Sequence, residues 1–172
     1  GDPYGLSIFG NRLAVGNSSS DHDWVRIYDL NGSLIKQFGS EGNGQGEFNR
    51  PFNVAYDDNG SLWVTDYGNH RIQVFDQNGT FIKQFSEYIP VSPALSSPSD
   101  FAYDLDSFYI SDSGNNRVVV FEDSTGNYTR TIAKSGSGLT NVSNPRGITL
   151  ANNGRIYVVD RGNNRIQVFD NN

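Results

Sequence analysis

The chain has 172 residues and 0 cysteines, so it holds no disulfide framework, no thiolate metal site and no cysteine nucleophile. Thirteen Lys and Arg stand against 19 Asp and Glu, a formal net charge of −6 with no Lys/Arg cluster, which argues against a nucleic-acid surface because phosphate binding needs concentrated positive charge. No apolar stretch approaches the roughly 20 residues that span a bilayer, and the length suits a single domain over 1–172.

The first strand is predicted over Tyr4–Phe9, with a turn at Gly10-Asn11 and a second strand over Arg12–Val15. A longer loop, Gly16 to Asp23, leads to strands over Trp24–Asp29 and Ser33–Phe38. In that loop Asp21, His22 and Asp23 carry metal-ligating groups, but adjacent residues rarely converge on one ion without partners elsewhere, so a solvated polar loop is expected. The linker Gly39 to Pro51 is glycine-rich; no helix follows it and its spacing is not that of a phosphate loop.

Strands follow over Asn53–Asp57, Ser61–Asp66, Arg71–Phe75 and Thr80–Phe85, separated by Asp58-Asn59-Gly60, Gly68-Asn69 and Gln77-Asn78-Gly79. Asn and Gly accept the positive φ that tight hairpin turns require. The segment Ser86 to Ser99 holds Pro90, Pro93 and Pro98 and reads as a surface loop of polyproline character. Its Tyr88, Ile89, Val91 and Leu95 make it either a contact surface or a loop packed on its own sheet. Further strands are predicted over Phe101–Tyr103, Phe108–Ser111, Arg117–Phe121 and Tyr128–Ala133, then over Gly147–Leu150, Arg155–Val159 and Arg165–Phe169.

One stretch organises the whole. Asp66-Tyr67-Gly68-Asn69-His70-Arg71-Ile72-Gln73-Val74-Phe75-Asp76 recurs from Asp112 to Glu122 and from Asp160 to Asp170, with a degenerate copy ending in Trp24 to Asp29. The aromatics Tyr28, Phe75, Phe121 and Phe169 fall at intervals of 47, 46 and 48 residues. Four short antiparallel strands per repeat of that length describe a propeller blade. The blades are expected over about 3–38, 51–85, 98–133 and 145–172, the last lacking its outer strand.

The pattern Pro-x-x-apolar, Asn-Gly, then Asp-x-Gly-Asn-x-Arg-Ile-x-Val-Phe-Asp resembles the NHL repeat. It stands here as Pro51 through Asp76 and Pro145 through Asp170. The resemblance implies an all-β, NHL-type β-propeller with four antiparallel blades visible, part of a larger ring or assembly, and it implies that the linker Gly39 to Pro51 carries the chain from one blade to the next, with Phe48 tucked between blades and Pro51 entering the inner strand. It implies the function less closely, since the family includes binding modules, extracellular sensors, RNA-binding domains and a metal-dependent amidating lyase.

The recurring Asp66, Arg71, Asp112, Arg117, Asp160 and Arg165 sit at identical spacing in each repeat, whereas a catalytic site needs different groups converging. They are expected to be structural, the Asp accepting N–H bonds of the Gly-Asn turn and the Arg bridging to an adjacent blade. The two histidines are His22 and His70, and His70 takes the place of Asn116 and Asn164, which marks it as a turn residue. No catalytic residue, cofactor or resident metal is expected.

Asn-x-Ser/Thr occurs at Asn17, Asn31, Asn59, Asn78, Asn127 and Asn141, all placed in turns, loops or linkers and thus candidate N-glycosylation sites. Hairpins also favour Asn-Gly-Ser/Thr for their own reasons. The expectation is a non-catalytic, extracellular or cell-surface interaction or structural module with attached glycans, a protein partner or self-association edge to edge, and no nucleic acid. The alternatives are part of a metal-dependent lyase or hydrolase, and an RNA-binding domain that the acidic charge disfavours.

Overall fold

The computed structural model describes residues 2–18, 23–85, 94–104, 106–122 and 126–170. The chain divides into two compact units, Gly1–Ser86 and Glu87–Asn172. In the first, β1 (Asp2–Phe9), β2 (Arg12–Ser18), β3 (Trp24–Asp29) and β4 (Leu34–Phe38) form one antiparallel meander. The strands β5 (Pro51–Tyr56), β6 (Leu62–Asp66), β7 (Arg71–Phe75) and β8 (Phe81–Phe85) form a second. In the second unit, β9 (Pro98–Asp104), β10 (Ser107–Asp112), β11 (Arg117–Glu122) and β12 (Tyr128–Ser135) make the third meander. Outside it lies a short parallel strand, β13 (Asn141–Val142). The fourth sheet has three strands, β14 (Pro145–Leu150), β15 (Arg155–Asp160) and β16 (Arg165–Asp170). These are blades 1 to 4 of an all-β chain of the β-propeller class.

Three hairpin turns, β3–β4, β5–β6 and β7–β8, are built from the same chemistry. Asp29 Oδ1 accepts the N–H groups of Asn31 and Ser33, at 3.0 and 2.8 Å. Asp57 Oδ1 does so for Asn59 and Ser61, and Asp76 Oδ1 for Asn78 and Thr80. The glycine before the last donor takes a positive φ, 89° at Gly32 and 82° at both Gly60 and Gly79. Asp57 also accepts the indole N–H of buried Trp63 at 2.9 Å, which ties the turn to the blade interior.

Alternation along the strands gives each blade two apolar faces, and in each unit one blade covers the next. Ala14, Val25 and Ile27 of blade 1 pack on Val54, Leu62, Val64 and Phe75 of blade 2, with Phe48 between them. Phe48 is fully buried, 6.3 Å from Phe38 and 5.7 Å from Phe75 between ring centroids. In the second unit Tyr109, Val118, Val120 and Ala133 of blade 3 pack on Ile148, Ile156, Val158 and Phe169 of blade 4. The face of a blade that meets its successor is here termed its front, and the opposite one its back.

Of the two readings of the 86–99 segment, the buried Leu95 agrees with a packed loop, while Tyr88, Ile89 and Val91 lie outside the described residues. One expectation changes. The loop expected from Gly16 begins later, because β2 runs on to Ser18 and pairs Asn17 with both Pro3 and Trp24.

Candidate functional site

The turn after the second strand of blades 2, 3 and 4 is one turn of 3-10 helix, over Tyr67–Asn69, Ser113–Asn115 and Arg161–Asn163. Each ends on a residue in left-handed conformation, His70 (φ 57°), Asn116 (φ 51°) and Asn164 (φ 53°). Asparagine tolerates that region through its short polar side chain. His70 is therefore held by the turn in a conformation that its neighbours in the repeat adopt as asparagine.

The recurring polar residues form a clamp on the chain that leads into their own blade. Oδ1 of Asp66, Asp112 and Asp160 accepts the N–H of Asn49, Ser96 and Ser143, at 2.8, 2.7 and 2.7 Å. Oδ2 accepts from the guanidinium Nε of Arg71, Arg117 and Arg165, at 2.7, 2.5 and 2.8 Å. It also accepts from the amides of Asn69, Asn115 and Asn163, at 2.9, 2.8 and 2.8 Å. The rest of the guanidinium holds linker carbonyls: Arg71 donates to those of Asn43, Gly44 and Glu47, and Arg165 to those of Gly138 and Asn141. Gln73 and Gln167 add donations to Glu47 and Leu139.

This corrects the expected roles. The backbone N–H groups that the aspartates accept belong to the lead-in residues 17 or 16 positions upstream, while the Gly-Asn turn gives them its asparagine side chain, and the arginines close on the aspartate of their own blade. The glycine in the turn permits the approach. Gly68, Gly114 and Gly162 donate their N–H to the carbonyls of Asn49, Ser96 and Ser143 at 2.7–2.8 Å, and a Cβ there would lie within 2.8 Å of those same oxygens.

The three clamps differ in cover. Burial pushes the Asp66 carboxyl above its ordinary range, outweighing the donors from Asn49, Asn69 and Arg71. At Asp160 burial acts in the same sense, but the Ser143 N–H, the Asn163 amide and Arg165 prevail and hold the carboxyl low. The Arg165 side chain is 27% exposed against 6% for Arg71, so solvent reaches the clamp of blade 4. Blade 1 has no such clamp: Asn17 and Trp24 occupy the aspartate and arginine positions, and Arg26 stacks on Trp24 at 3.9 Å instead.

A seam that the sequence did not disclose joins successive blades. Asp23, just before β3, accepts the N–H of Arg50 at 2.8 Å. Asn116, just before β11, accepts the N–H of Asn144 at 2.7 Å. Arg50 and Asn144 are the left-handed residues (φ 59° and 46°) that precede Pro51 and Pro145. The recurrence of X-Pro ahead of each inner strand was the visible signal. Asp23 is thus a packing group, and Asp21 and His22 lie outside the described residues. Among the described residues no group of three His, Cys, Asp or Glu side chains is placed to hold a metal ion.

The candidate glycosylation sites separate. Asn31, Asn59, Asn78 and Asn127 are exposed, Asn141 is half-buried with its amide on the carbonyls of Lys134 and Ser135, and Asn17 is buried within β2. Accessibility is therefore corrected for Asn17. The aspartate-capped turn geometry accounts on its own for Asn-Gly-Ser/Thr at residues 31, 59 and 78.

What remains displayed is apolar. The front of blade 4 presents Tyr157, Val159, Ile166 and Val168. A shallow pocket of about 300 Å³ opens on it, bounded by Asp100 of β9 and by Gly147, Thr149, Tyr157, Val159 and Ile166. The Asp100 carboxylate is already occupied by the N–H groups of Phe101 and Ile148, both at 2.8 Å. The site therefore offers a largely aliphatic surface whose one carboxylate is bonded within the fold.

The model of the NHL repeat matches residues 48–75, 95–121 and 143–169. Among solved structures the chain is similar to a catalytically inactive virginiamycin B lyase from Staphylococcus aureus with quinupristin (17% identity, TM-score 0.70), covering 98% of this chain and 55% of that one. A nidogen/laminin complex matches over 99% of this chain and 60% of that one (18% identity, TM-score 0.70). The glutaminyl cyclase of Myxococcus xanthus matches over 97% and 71% (16% identity, TM-score 0.64). The chain spans little more than half the length of the first two. At these identities the likeness is one of fold.

Proposed function

The chain belongs to the NHL-repeat family of β-propellers, and from that premise we propose that it is a non-catalytic interaction module working outside the cell or at its surface. One observation carries the reading. The polar groups that the repeat brings together are spent on holding linkers, while the front of blade 4 shows an apolar surface to solvent. Chemistry needs groups free to change partners, whereas recognition needs exposed apolar area. The match to a nidogen/laminin complex is to a chain seen in a protein complex, which accords with this use of the fold. The exposed sequons at Asn31, Asn59, Asn78 and Asn127 support the location.

The lyase and cyclase matches make metal-dependent catalysis the reading to test against. The purified chain is incubated with zinc, manganese and calcium, desalted and analysed for metal. We expect no stoichiometric ion; one metal per chain, lost in His70→Ala or His22→Ala, would overturn the non-catalytic reading. For the location, protein from its native source is weighed intact against 19.0 kDa. Hexose increments removed by an amidase support it, and unmodified asparagines at all four exposed sites remove its support.

A further inference from the structure

Position for position, the front of blade 4 repeats surfaces that elsewhere in the chain are covered. Ile166 and Val168 occupy the places of Val118 and Val120 in blade 3 and of Val25 and Ile27 in blade 1. Those four side chains are at most 1% exposed, because the next blade lies on them; Ile166 is 57% and Val168 46% exposed. Burying two such aliphatics is worth a few kcal/mol, so a face of this composition favours a partner that covers it. The seam position agrees: Asn164 stands where Asn116 accepts the Asn144 N–H, in the same left-handed conformation, with its side chain exposed.

The two covered fronts show what a partner must bring. It needs an inner strand led by X-Pro, whose X offers its N–H to residue 116 or its equivalent, and an aliphatic three residues after the proline. Blade 2 supplies Arg50-Pro51 and Val54, and blade 4 supplies Asn144-Pro145 and Ile148. Blade 1 has the same elements and shows them to solvent. Asp2-Pro3 leads its inner strand, Leu6 stands in register with Val54 and Ile148, and Leu6 and Ile8 are 69% and 62% exposed.

We propose that the front of blade 4 docks the back of blade 1 of a second copy of this chain, head to tail, repeating the seam found between successive blades. The proposal rests on the interaction-module reading and names its partner. Because the two surfaces differ, the contact is heterologous: it closes into a ring or propagates. Leu6 and Ile8 cover Ile166 and Val168, and the Asn164 side-chain oxygen accepts the N–H of Asp2.

The test is light scattering with size exclusion over a range of concentrations of the 172-residue chain. The expected result is a mass above 19.0 kDa that rises with concentration. A front-blocked variant, Ile166→Lys with Val168→Lys, and a back-blocked variant, Leu6→Lys with Ile8→Lys, are each expected to be monomeric. Mixed together they are expected to form a 1:1 dimer and nothing larger, since one keeps an intact back and the other an intact front; this also shows that both have folded. Asn164→Ala is expected to weaken association about 5-fold, the effect of one neutral hydrogen bond. A wild-type chain that stays monomeric, an oligomer that survives in both blocked variants, or blocked variants that do not pair on mixing would each overturn the proposal. None of these outcomes bears on metal content, so the non-catalytic reading stands or falls separately.

Discussion

Arg71 Nε donates to Asp66 Oδ2 at 2.7 Å while the other nitrogens of the same guanidinium hold the carbonyls of Asn43, Gly44 and Glu47. One planar cation thus ties three points of the preceding linker to the end of β6. Lysine has a single point charge and cannot reproduce the fork. Arg71→Ala leaves a buried carboxylate and three carbonyls without their donor, and is expected to cost about 3–5 kcal/mol. Arg71→Lys should recover less than half of that loss. Urea titrations of the three proteins check it, and a full rescue by lysine would show that charge alone matters there.

Gly68 is set by proximity rather than by φ. Its Cβ position lies 2.8 Å from the backbone oxygen of Asn49, which cannot swing aside without releasing Asp66. Gly68→Ala is expected to destabilise by about 1–3 kcal/mol, whereas Gly10→Ala, in open space but at φ 56°, should cost about 1 kcal/mol from backbone strain. Thermal melts of the pair would reverse the ranking if steric crowding were not the cause.

The aromatic that marks the repeat period also carries packing. Phe75 meets Phe38, Phe48 and Phe81 with centroids 4.8, 5.7 and 6.0 Å away. Phe75→Ala is expected to cost about 3–5 kcal/mol, and Phe75→Leu less than half as much. A loss below about 1 kcal/mol in the alanine variant would mean that the site collapses freely.

Acid should separate Asp160 from Asp66. A carboxyl held below its ordinary value, as at Asp160, stabilises the fold above about pH 4, and that contribution is lost as pH falls through the ordinary value and below. Asp66 has the opposite sign: raised in the folded state, it binds a proton more readily there and favours folding as pH drops towards about 4. Asp160→Asn should therefore flatten the acid-side fall in stability, and Asp66→Asn should steepen it. Urea midpoints at intervals between about pH 3 and 6 give the slopes; equal slopes in both variants would contradict the assignment.

Much of the fold was legible because strand propensity, turn residues and period pointed the same way. The strands around Asp58-Asn59-Gly60 fall close to where they were expected, and Phe48 is buried between blades 1 and 2 as the resemblance to the repeat implied. The 3-10 turns were not legible, since three residues carry no periodicity. Nor was the partner of Asp66: Asn49 lies 17 residues upstream, and no local pattern announces a bond across that distance. Asn17 was misplaced for a related reason. Its serine-rich surroundings read as loop, but pairing with Pro3 and Trp24 draws it into β2. The exposure of the front of blade 4 was not legible, because Ile166 and Val168 are aliphatics at the same positions as Val118 and Val120 and differ from them in what covers them.

The clamp also fixes where one repeat ends and the next begins. Linker residues 42–47 are bonded to Asn69, Arg71 and Gln73 of the following blade, so the indivisible segment is a linker with the blade downstream of it. A cassette transplanted into another array must then be cut just after an outer strand, between Phe38 and Gly39. Cutting at the conspicuous proline, Pro51, would leave the recipient with a guanidinium and no carbonyls to grip.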